Sequence, residues 1–249
     1  MTSLDTIQHS LTEKPAGEVL AWALDHFADR IVFATSLSRE DQALLSMIAE
    51  APGPRPRIVF LDTSRHFEAT YALLEQNRQE YGLSIEALSP DNADLEAMVS
   101  EHSPQLFRTS VPLRELCCDV RKVRPLRRAL EGADAWITGL RRFQSAARTD
   151  VRVIEHDSGN GRYKVNPLWD WSDARLEGFL DTRQTPLNTL HAERFPSIGC
   201  APCTRAVQPG EHHRAGRWWW EAENGKECGI HVGDRRVRHT DGVEGEVES

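Results

Sequence analysis

Short apolar runs alternate with helix-like stretches through the first half of the chain. These runs have the length of strands and predict four buried strands, at residues 31–34, 57–61, 84–88 and 135–138. Apolar residues at helical spacing lie between them and predict helices at residues 40–50, 67–81 and 113–130, the last of which is basic and irregular near Pro125. Strands that alternate with helices predict an α/β fold with a mostly parallel sheet flanked by helices.

Polar segments follow three of the predicted strands, at residues 35–41, 62–65 and 138–142. Ligands of parallel sheets bind outside the carboxyl ends of the strands, so these segments predict a site for a nucleotide phosphate and sugar. In the first segment, Ser36, Ser38 and the N–H groups of the next helix are suited to an anion. The segment has no glycine and matches no Walker motif, so an ordinary serine N-cap explains the same residues.

The pattern changes after Asp170, where a predicted helix at residues 172–181 leads into a region punctuated by proline and glycine. This region holds the last three cysteines. With 249 residues, 39% of them hydrophobic, the chain is predicted to form one large domain, with or without a smaller C-terminal lobe.

Charge is distributed unevenly along the chain. The net charge is −8, yet residues 108–148 carry six more basic than acidic side chains. This distribution disfavours attraction of the whole protein to nucleic acid and favours a local anion site, although solvated helix faces explain it equally well.

The chain lacks the features of a membrane or exported protein. Its apolar runs fall well short of the ~20 residues that a membrane span needs, and its first ten residues do not resemble a signal peptide. A cytoplasmic protein without a membrane span is therefore predicted. In a reducing cytosol, five cysteines favour metal or redox chemistry over disulfides.

Four cysteines form two pairs, Cys117-Cys118 and Cys200/Cys203. Four thiolates can hold one zinc ion or one iron–sulfur cluster. Cys200 and Cys203 have the spacing of a zinc pair, but adjacent side chains such as Cys117 and Cys118 diverge by ~100° on a helix. The adjacent pair therefore favours an iron–sulfur cluster, whose irons face different directions, and zinc remains an alternative.

The fifth cysteine, Cys228, stands apart, with Lys226, Gly229 and His231 beside it. A nearby cation lowers the pKa of a thiol and so favours the reactive thiolate. His231 is suited to donate a proton or to orient the thiol. An exposed, ordinary cysteine is the alternative interpretation.

Two arginines, Arg214 and Arg217, precede three tryptophans. They share one face if the segment is helical, and guanidinium groups suit phosphate or sulfate oxygens. We expect the tryptophans to anchor this segment to the body of the protein rather than to stack on a base.

Several strings of residues together carry a family resemblance that covers residues 33–231. These strings are FLDT at 60–63, CCDVRKVRPL at 117–126, WITG at 136–139, KVNPL at 164–168, PSIGCAPCTR at 196–205, RAGRWWW at 214–220 and KECGIH at 226–231. The chain resembles the assimilatory adenosine 5′-phosphosulfate (APS) reductases, the [4Fe-4S] branch of the APS/PAPS reductase family.

The resemblance implies a fold like that of the adenine nucleotide alpha hydrolases and a [4Fe-4S] cluster on Cys117, Cys118, Cys200 and Cys203. It implies that Cys228, with His231, attacks the sulfur of APS, expels AMP and keeps the sulfur as a thiosulfonate. Reduced thioredoxin or glutaredoxin would release sulfite for cysteine synthesis. A homo-oligomer without nucleic acid is also expected.

The resemblance further implies a set of substrate-binding residues and a role for the cluster in placing Lys122 near the sulfate. The expected substrate-binding residues are Ser36, Ser38, Asp62, Thr63, Arg65, Lys122, Gly139, Arg141, Arg142, Arg214 and Arg217. The chain departs from the family pattern at Leu37, Arg39, Ser64, Leu140, Phe143, Arg194 and Phe195. These departures leave the five cysteines intact.

Four segments are predicted along the chain. They are an N-terminal helical segment at residues 1–25, a nucleotide- and cluster-binding α/β domain at 26–205, a mobile catalytic segment at 206–239 and a disordered tail at 240–249.

Three alternatives remain open at this point. A PAPS reductase or a dual-specificity enzyme would use Arg39 or Arg65 for a 3′-phosphate, but that branch lacks the four cluster cysteines. A cluster-bearing tRNA-thiolating enzyme would need a Ser-Gly-Gly-x-Asp-Ser loop, which this sequence lacks. The third alternative is a protein without catalytic activity whose four cysteines hold structural zinc or an oxygen-sensing cluster.

Overall fold

A six-stranded sheet forms the centre of the protein. The computed structural model describes residues 3–144 and 148–221. The strands are β1 (Ile31–Thr35), β2 (Arg57–Leu61), β3 (Ile85–Leu88), β4 (Ala135–Ile137), β5 (Ile154–Asp157) and β6 (Arg162–Val165). Their order is β3-β2-β1-β4-β6-β5, and every pairing is parallel except that of β5 with β6. The predicted α/β class and mostly parallel sheet are confirmed.

Eight α-helices accompany the sheet within the described residues. They are α1 (Leu4–Thr12), α2 (Ala16–Phe27), α3 (Arg39–Glu50), α4 (Glu68–Tyr81), α5 (Asn92–His102), α6 (Val111–Cys118), α7 (Arg124–Ala129) and α8 (Asp173–Arg183). Short 3₁₀ turns lie at Ala28–Arg30, Leu106–Arg108, Thr189–Glu193 and Ala201–Cys203. Sequence periodicity missed α5 and the β5–β6 hairpin.

The predicted basic helix at 113–130, irregular near Pro125, is present as three consecutive helical pieces. It consists of α6, a π-helical turn at Asp119–Val123, and α7. The N–H of Arg124 donates to the carbonyl of Asp119, which is the wide hydrogen bond of a π turn. Pro125 has no N–H to give to the preceding turn, and the widened turn before it accommodates the proline.

Three apolar clusters hold these elements together. The largest packs α2 and α3 against one face of the sheet, where Phe33 and Phe60 are fully buried. A second packs α7 against the other face around Trp136. The third lies away from the sheet and joins Phe107 and Trp218 to the cysteines of α6 and of the turn at Ala201–Cys203. The cysteines therefore lie in a small core of their own.

The topology brings the predicted ligand-binding segments together. Because β1, β2 and β4 are parallel neighbours, the loops that follow them meet at one edge of the sheet. Within residues 3–144 and 148–221, no helix is both long and apolar enough to cross a membrane. The four segments predicted along the chain remain a prediction.

Candidate active site

A cleft of about 470 Å³ lies at the carboxyl ends of the parallel strands. Its walls come from the loops after β1 and β4, the start of α8, and the segment before residue 221. Seven of the predicted substrate-binding residues line it: Ser36, Ser38, Lys122, Gly139, Arg141, Arg214 and Arg217.

The loop after β1 is held together by the buried carboxylate of Asp41. The N–H and the hydroxyl of Ser36 both donate to Asp41 Oδ2, each at 2.7 Å, and the N–H of Asp41 donates to Ser38 Oγ at 3.3 Å. Burial raises the pKa of Asp41 to about 6, although these hydrogen bonds oppose that rise. Ser38 thus caps α3, and both donors of Ser36 are engaged by Asp41 within the loop.

Gly139 allows the loop after β4 to approach this N-cap closely. A Cβ atom at Gly139 would lie 2.8 Å from Asp41 Oδ1 and 2.8 Å from the Cβ of Glu40. Both atoms belong to a packed helix start, so a larger residue would push α3 away from β4.

At one end of the cleft, carboxylates neutralise the arginines. Arg141 is 4% exposed, and its Nη2 donates to Glu40 Oε1 at 2.8 Å and to Asp173 Oδ1 at 2.7 Å. The Nη1 of Arg39 lies 3.4 Å from Glu177 Oε1. Arg141 thus links Glu40 of α3 to Asp173 of α8, and the pair of Arg39 with Glu177 joins the same two helices directly. We term this region the paired end of the cleft.

In another part of the cleft, Arg217 is buried among neutral partners. Its Nη1 donates to Ser197 Oγ at 3.4 Å and to the carbonyl of Ile198 at 3.3 Å, and its guanidinium lies 4.7 Å from the ring centre of Trp218. Lys122 and Arg214 also line the cleft, and the positive charges of Lys122 and Arg217 both act on His66, so this region is basic. We term it the cationic end.

The segment that carries Arg214 and Arg217 is not helical. Arg217 forms an isolated antiparallel bridge with Thr204, and the N–H of Trp218 donates to the carbonyl of Cys203 at 3.1 Å. Trp218 is 2% exposed, whereas Trp219 is 36% exposed. Trp218 therefore packs into the body of the protein, in agreement with the expected anchoring role.

His66 also lines the cleft, and the sequence analysis missed it. Burial, together with the positive charges of Lys122 and Arg217, lowers the pKa of His66 to about 4. Its Nε2 lies 3.1 Å from the carbonyl of Leu61. A neutral imidazole thus faces the cationic end. The sequence signal that could have identified His66 as a site residue is its position directly after the polar segment 62–65.

Four cysteines surround a second, smaller cavity beside the cationic end. Its walls are Arg65, Phe107, Arg114, Cys117, Cys118, Arg121, Lys122, Cys200 and Cys203. All four cysteines are free thiols. Lys122 lines both this cavity and the cleft, so one side chain is shared by the two spaces.

The local structure explains why these cysteines meet. Cys117 and Cys118 end α6, and the π turn that follows carries Arg121, whose Nη1 donates to the carbonyl of Thr63 at 2.7 Å. The N–H of Ala201 donates to the carbonyl of Arg65 at 2.7 Å. The loop after β2 thus ties the two cysteine-bearing segments together.

The chemistry of these thiols fits a metal–sulfur centre. Burial, together with neighbouring Cys200 and Cys117, raises the pKa of Cys203 to about 12. Burial also raises the pKa of Cys117. Four crowded thiols need a cationic centre to ionise together. Among the described residues, no group of three or more His, Cys, Asp or Glu has the arrangement of a single metal-ion site.

Four predicted substrate-binding residues do not line the cleft. Asp62 accepts hydrogen bonds from Tyr71 and from the N–H of Ser64, and Thr63 lies 3.3 Å from Cys200 Sγ. Arg65 faces the cysteine cavity, and Arg142 lies 4.0 Å from the ring centre of Trp169. The predicted catalytic residues Cys228 and His231 lie outside the described residues.

Comparison with known proteins places this arrangement in a family. The family model of the phosphoadenosine phosphosulfate reductase domain matches residues 30–206, which include the loops of the cleft and all four cysteines of the cavity. The chain belongs to this family. Its members include the reductases that the sequence resembles, so the predicted family is confirmed.

Curated relatives support the same assignment. The chain is 44% identical over 204 residues to an adenosine 5′-phosphosulfate reductase of Burkholderia cepacia, covering 82% of this chain and 81% of the relative. It is 47% identical over 203 residues to the enzyme of that name from Allochromatium vinosum, covering 82% and 79%.

Solved structures agree on the fold. The phosphoadenylyl-sulfate reductase of Candida auris, in complex with phosphate, has a TM-score of 0.70 and 27% identity, covering 83% of this chain and 98% of that one. The FMN adenylyltransferase of Candida glabrata shares the fold alone, with a TM-score of 0.55 and 17% identity.

Proposed function

We propose that this protein reduces adenosine 5′-phosphosulfate to sulfite and AMP during sulfate assimilation toward cysteine. The observation that carries the proposal is the shared wall of the two cavities, where Lys122 borders both the nucleotide-sized cleft and the four cysteines. Relatives of 44–47% identity that carry the name adenosine 5′-phosphosulfate reductase support the same reaction.

In the first step, the Cys228 thiolate attacks the sulfur of the phosphosulfate. A sulfur–sulfur bond forms, the bond from sulfur to the bridging oxygen breaks, and AMP leaves with that electron pair. The cationic end would bind the phosphosulfate because Lys122, Arg214 and Arg217 stabilise its negative charge as the phosphate departs. His231 would hold or orient the Cys228 thiol.

In the second step, a dithiol protein releases sulfite. One of its thiolates attacks Cys228 Sγ and expels sulfite, and its second thiol resolves the mixed disulfide. The dithiol loses two electrons, which reduce the sulfur of the substrate. Thioredoxin or glutaredoxin in the cytoplasm is the proposed reductant, and we also propose that the protein forms a homo-oligomer.

We further propose that Cys117, Cys118, Cys200 and Cys203 hold a [4Fe-4S] cluster. Each iron of such a cluster takes one thiolate, so its ligands lie farther apart than those of a single ion. Bound there, the cluster would hold all four thiols as thiolates and fix the helix that leads to Lys122. Arg121 would hold the loop of Thr63 against this site.

The structure favours APS over its 3′-phosphorylated form. Of the two cations suited to a 3′-phosphate, Arg65 faces the cysteine cavity rather than the cleft, and Arg39 lies beside Glu177.

The nucleophile is tested by Cys228→Ser in anaerobically purified protein. We expect the variant to bind AMP and keep its iron, but to form neither thiosulfonate, measured by intact mass, nor sulfite. A variant with normal sulfite release would contradict the assignment of Cys228.

The cluster is tested separately by metal analysis and absorbance. Wild-type protein is expected to contain four irons per chain, and Cys200→Ser is expected to lose iron and the visible absorbance together. Zinc in place of iron, or an unchanged iron content in Cys200→Ser, would contradict a cluster on these cysteines.

A further inference from the structure

A buried ion pair joins α6 to the end of the described chain. The Nε of Arg114 donates to Glu221 Oε1 at 2.8 Å, and the two side chains are only 1% and 8% exposed. Burial lowers the pKa of Arg114, but the hydrogen bond and the charge of Glu221 outweigh that effect and raise it overall. Arg114 therefore keeps its positive charge in this buried position.

Arg114 reaches two other parts of the site. Its guanidinium lies 4.8 Å from the ring centre of Trp218, and the side chain lines the four-cysteine cavity, where it interacts with Cys118. Its Nη1 is buried and has no hydrogen-bond partner among the described atoms. A buried arginine with a spare donor beside four thiols is suited to a negatively charged metal–sulfur centre.

Glu221 occupies a defined place in the chain. A turn closes at this residue, since its N–H donates to the carbonyl of Trp218 at 2.9 Å, and Trp218 is in turn tied to Cys203. Cys228 follows seven residues later. Seven residues span at most ~25 Å, so the position of Glu221 limits where the Cys228 thiol can reach.

Stability alone is a poor explanation for such a pair. Replacing a buried ion pair with apolar residues is often neutral or stabilising, because the charges must give up their hydration. Here Glu221 also lies only seven residues before Cys228 in the sequence. Its position indicates a function in placing the segment that follows.

We propose that Arg114 and Glu221 are positioning residues that anchor the Cys228 segment to the wall of the four-cysteine cavity. One edge of the Arg114 guanidinium holds Glu221, and the other faces the metal–sulfur centre, so occupancy of the cavity and placement of the nucleophile depend on the same side chain. This inference rests on the proposed function of Cys228.

The first test compares Glu221→Gln with Glu211→Gln in iron-loaded protein. Glu211 forms an exposed ion pair with Arg205 in the same region and serves as the matched control. Without reductant, thiosulfonate formation from APS is expected to slow at least ten-fold in Glu221→Gln, with KM and iron content close to wild type. Thiosulfonate formation at the wild-type rate would overturn the proposal. Loss of iron would also overturn it, because the Arg114–Glu221 pair would then act in the folding of the cysteine cavity.

A double-variant cycle tests whether the two residues act as one unit. Arg114→Gln is expected to slow the same step at least as much as Glu221→Gln does, because Arg114 also faces the cysteine cavity. The double variant should be no slower than Arg114→Gln alone, because the contact with Glu221 is already lost in that variant. Losses that multiply in the double variant would show independent roles and overturn the anchor.

A readout that does not depend on turnover separates this inference from the proposed reaction. Trypsin cleavage after Lys226 is expected to be at least five-fold faster in Glu221→Gln than in Glu211→Gln. Equal cleavage would overturn the anchor even in an active enzyme. If wild-type protein forms no thiosulfonate, the proposed function fails, while the proteolysis comparison still reports on the anchor.

Discussion

The two ends of the cleft use the same kind of residue in different ways. At the paired end, Arg141 contacts two carboxylates and a carbonyl, and Arg39 lies beside Glu177. At the cationic end, Arg217 contacts a hydroxyl, a carbonyl and an aromatic ring. An arginine neutralised by carboxylates supports the fold, whereas one held by neutral groups keeps its positive charge for a ligand.

This difference explains why residue type alone does not identify a substrate-binding arginine. Sequence resemblance assigns Arg141 and Arg217 the same role. Within the structure, Arg141 braces α3 against α8, and Arg217 borders the space next to the cysteine cavity. The contrast can be tested by asking whether variants at each end alter stability or catalysis.

The largest effect is expected from Arg141→Ala. The substitution leaves the partly buried carboxylate of Glu40 without its cation, and removal of one partner of a buried pair typically costs about 3–5 kcal/mol. Since Asp173 is exposed, we expect the lower part of that range. The free energy of unfolding from urea titration measures the loss, and a variant of wild-type stability would remove the structural role.

At the cationic end, Lys122→Ala is expected to reduce kcat/KM rather than stability. Loss of one charged hydrogen bond costs about 1.5–3 kcal/mol, which corresponds to roughly a 10- to 150-fold reduction. Steady-state sulfite release measures it, with the melting temperature as the control. Unchanged kinetics would mean that Lys122 does not contact the substrate.

His66 provides a pH-dependent test of the same end. Its lowered pKa means that the folded protein binds the proton less readily than the unfolded chain does. The stability that neutral His66 contributes is present above pH 6.5 and is lost as the pH falls toward 4. By pH 5 the loss amounts to about 2 kcal/mol. We therefore expect the unfolding free energy of His66→Leu to fall less than that of the wild type as the pH falls from 6.5 to 5. Parallel pH profiles for the two proteins would contradict the assignment.

The smallest effect is expected from Glu177→Gln, at the paired end. Glu177 is more than half exposed, and exposed ion pairs contribute about 0–1 kcal/mol. The variant is expected to remain as stable as wild type and to gain little activity with 3′-phosphorylated APS. A large gain would show that Arg39, once released from Glu177, binds a 3′-phosphate.

The sequence was sufficient for β1 to β4 and for the two cysteine pairs, because strand runs and thiol spacing are local features. It was insufficient where tertiary contacts decide the role of a side chain. Arg65 faces the cysteine cavity, and Arg141 is enclosed by carboxylates from α3 and α8. Pro125 indicated an irregular helix, but no periodicity placed the π turn at Asp119–Val123.

The most direct test is sulfite release by anaerobically purified, iron-loaded protein with reduced thioredoxin. APS and its 3′-phosphorylated form are compared at equal concentrations. We predict rapid release from APS and at most slow release from the 3′-phosphorylated form. A preference for the 3′-phosphorylated form, or no release from either by protein that holds its iron, would contradict the proposed function.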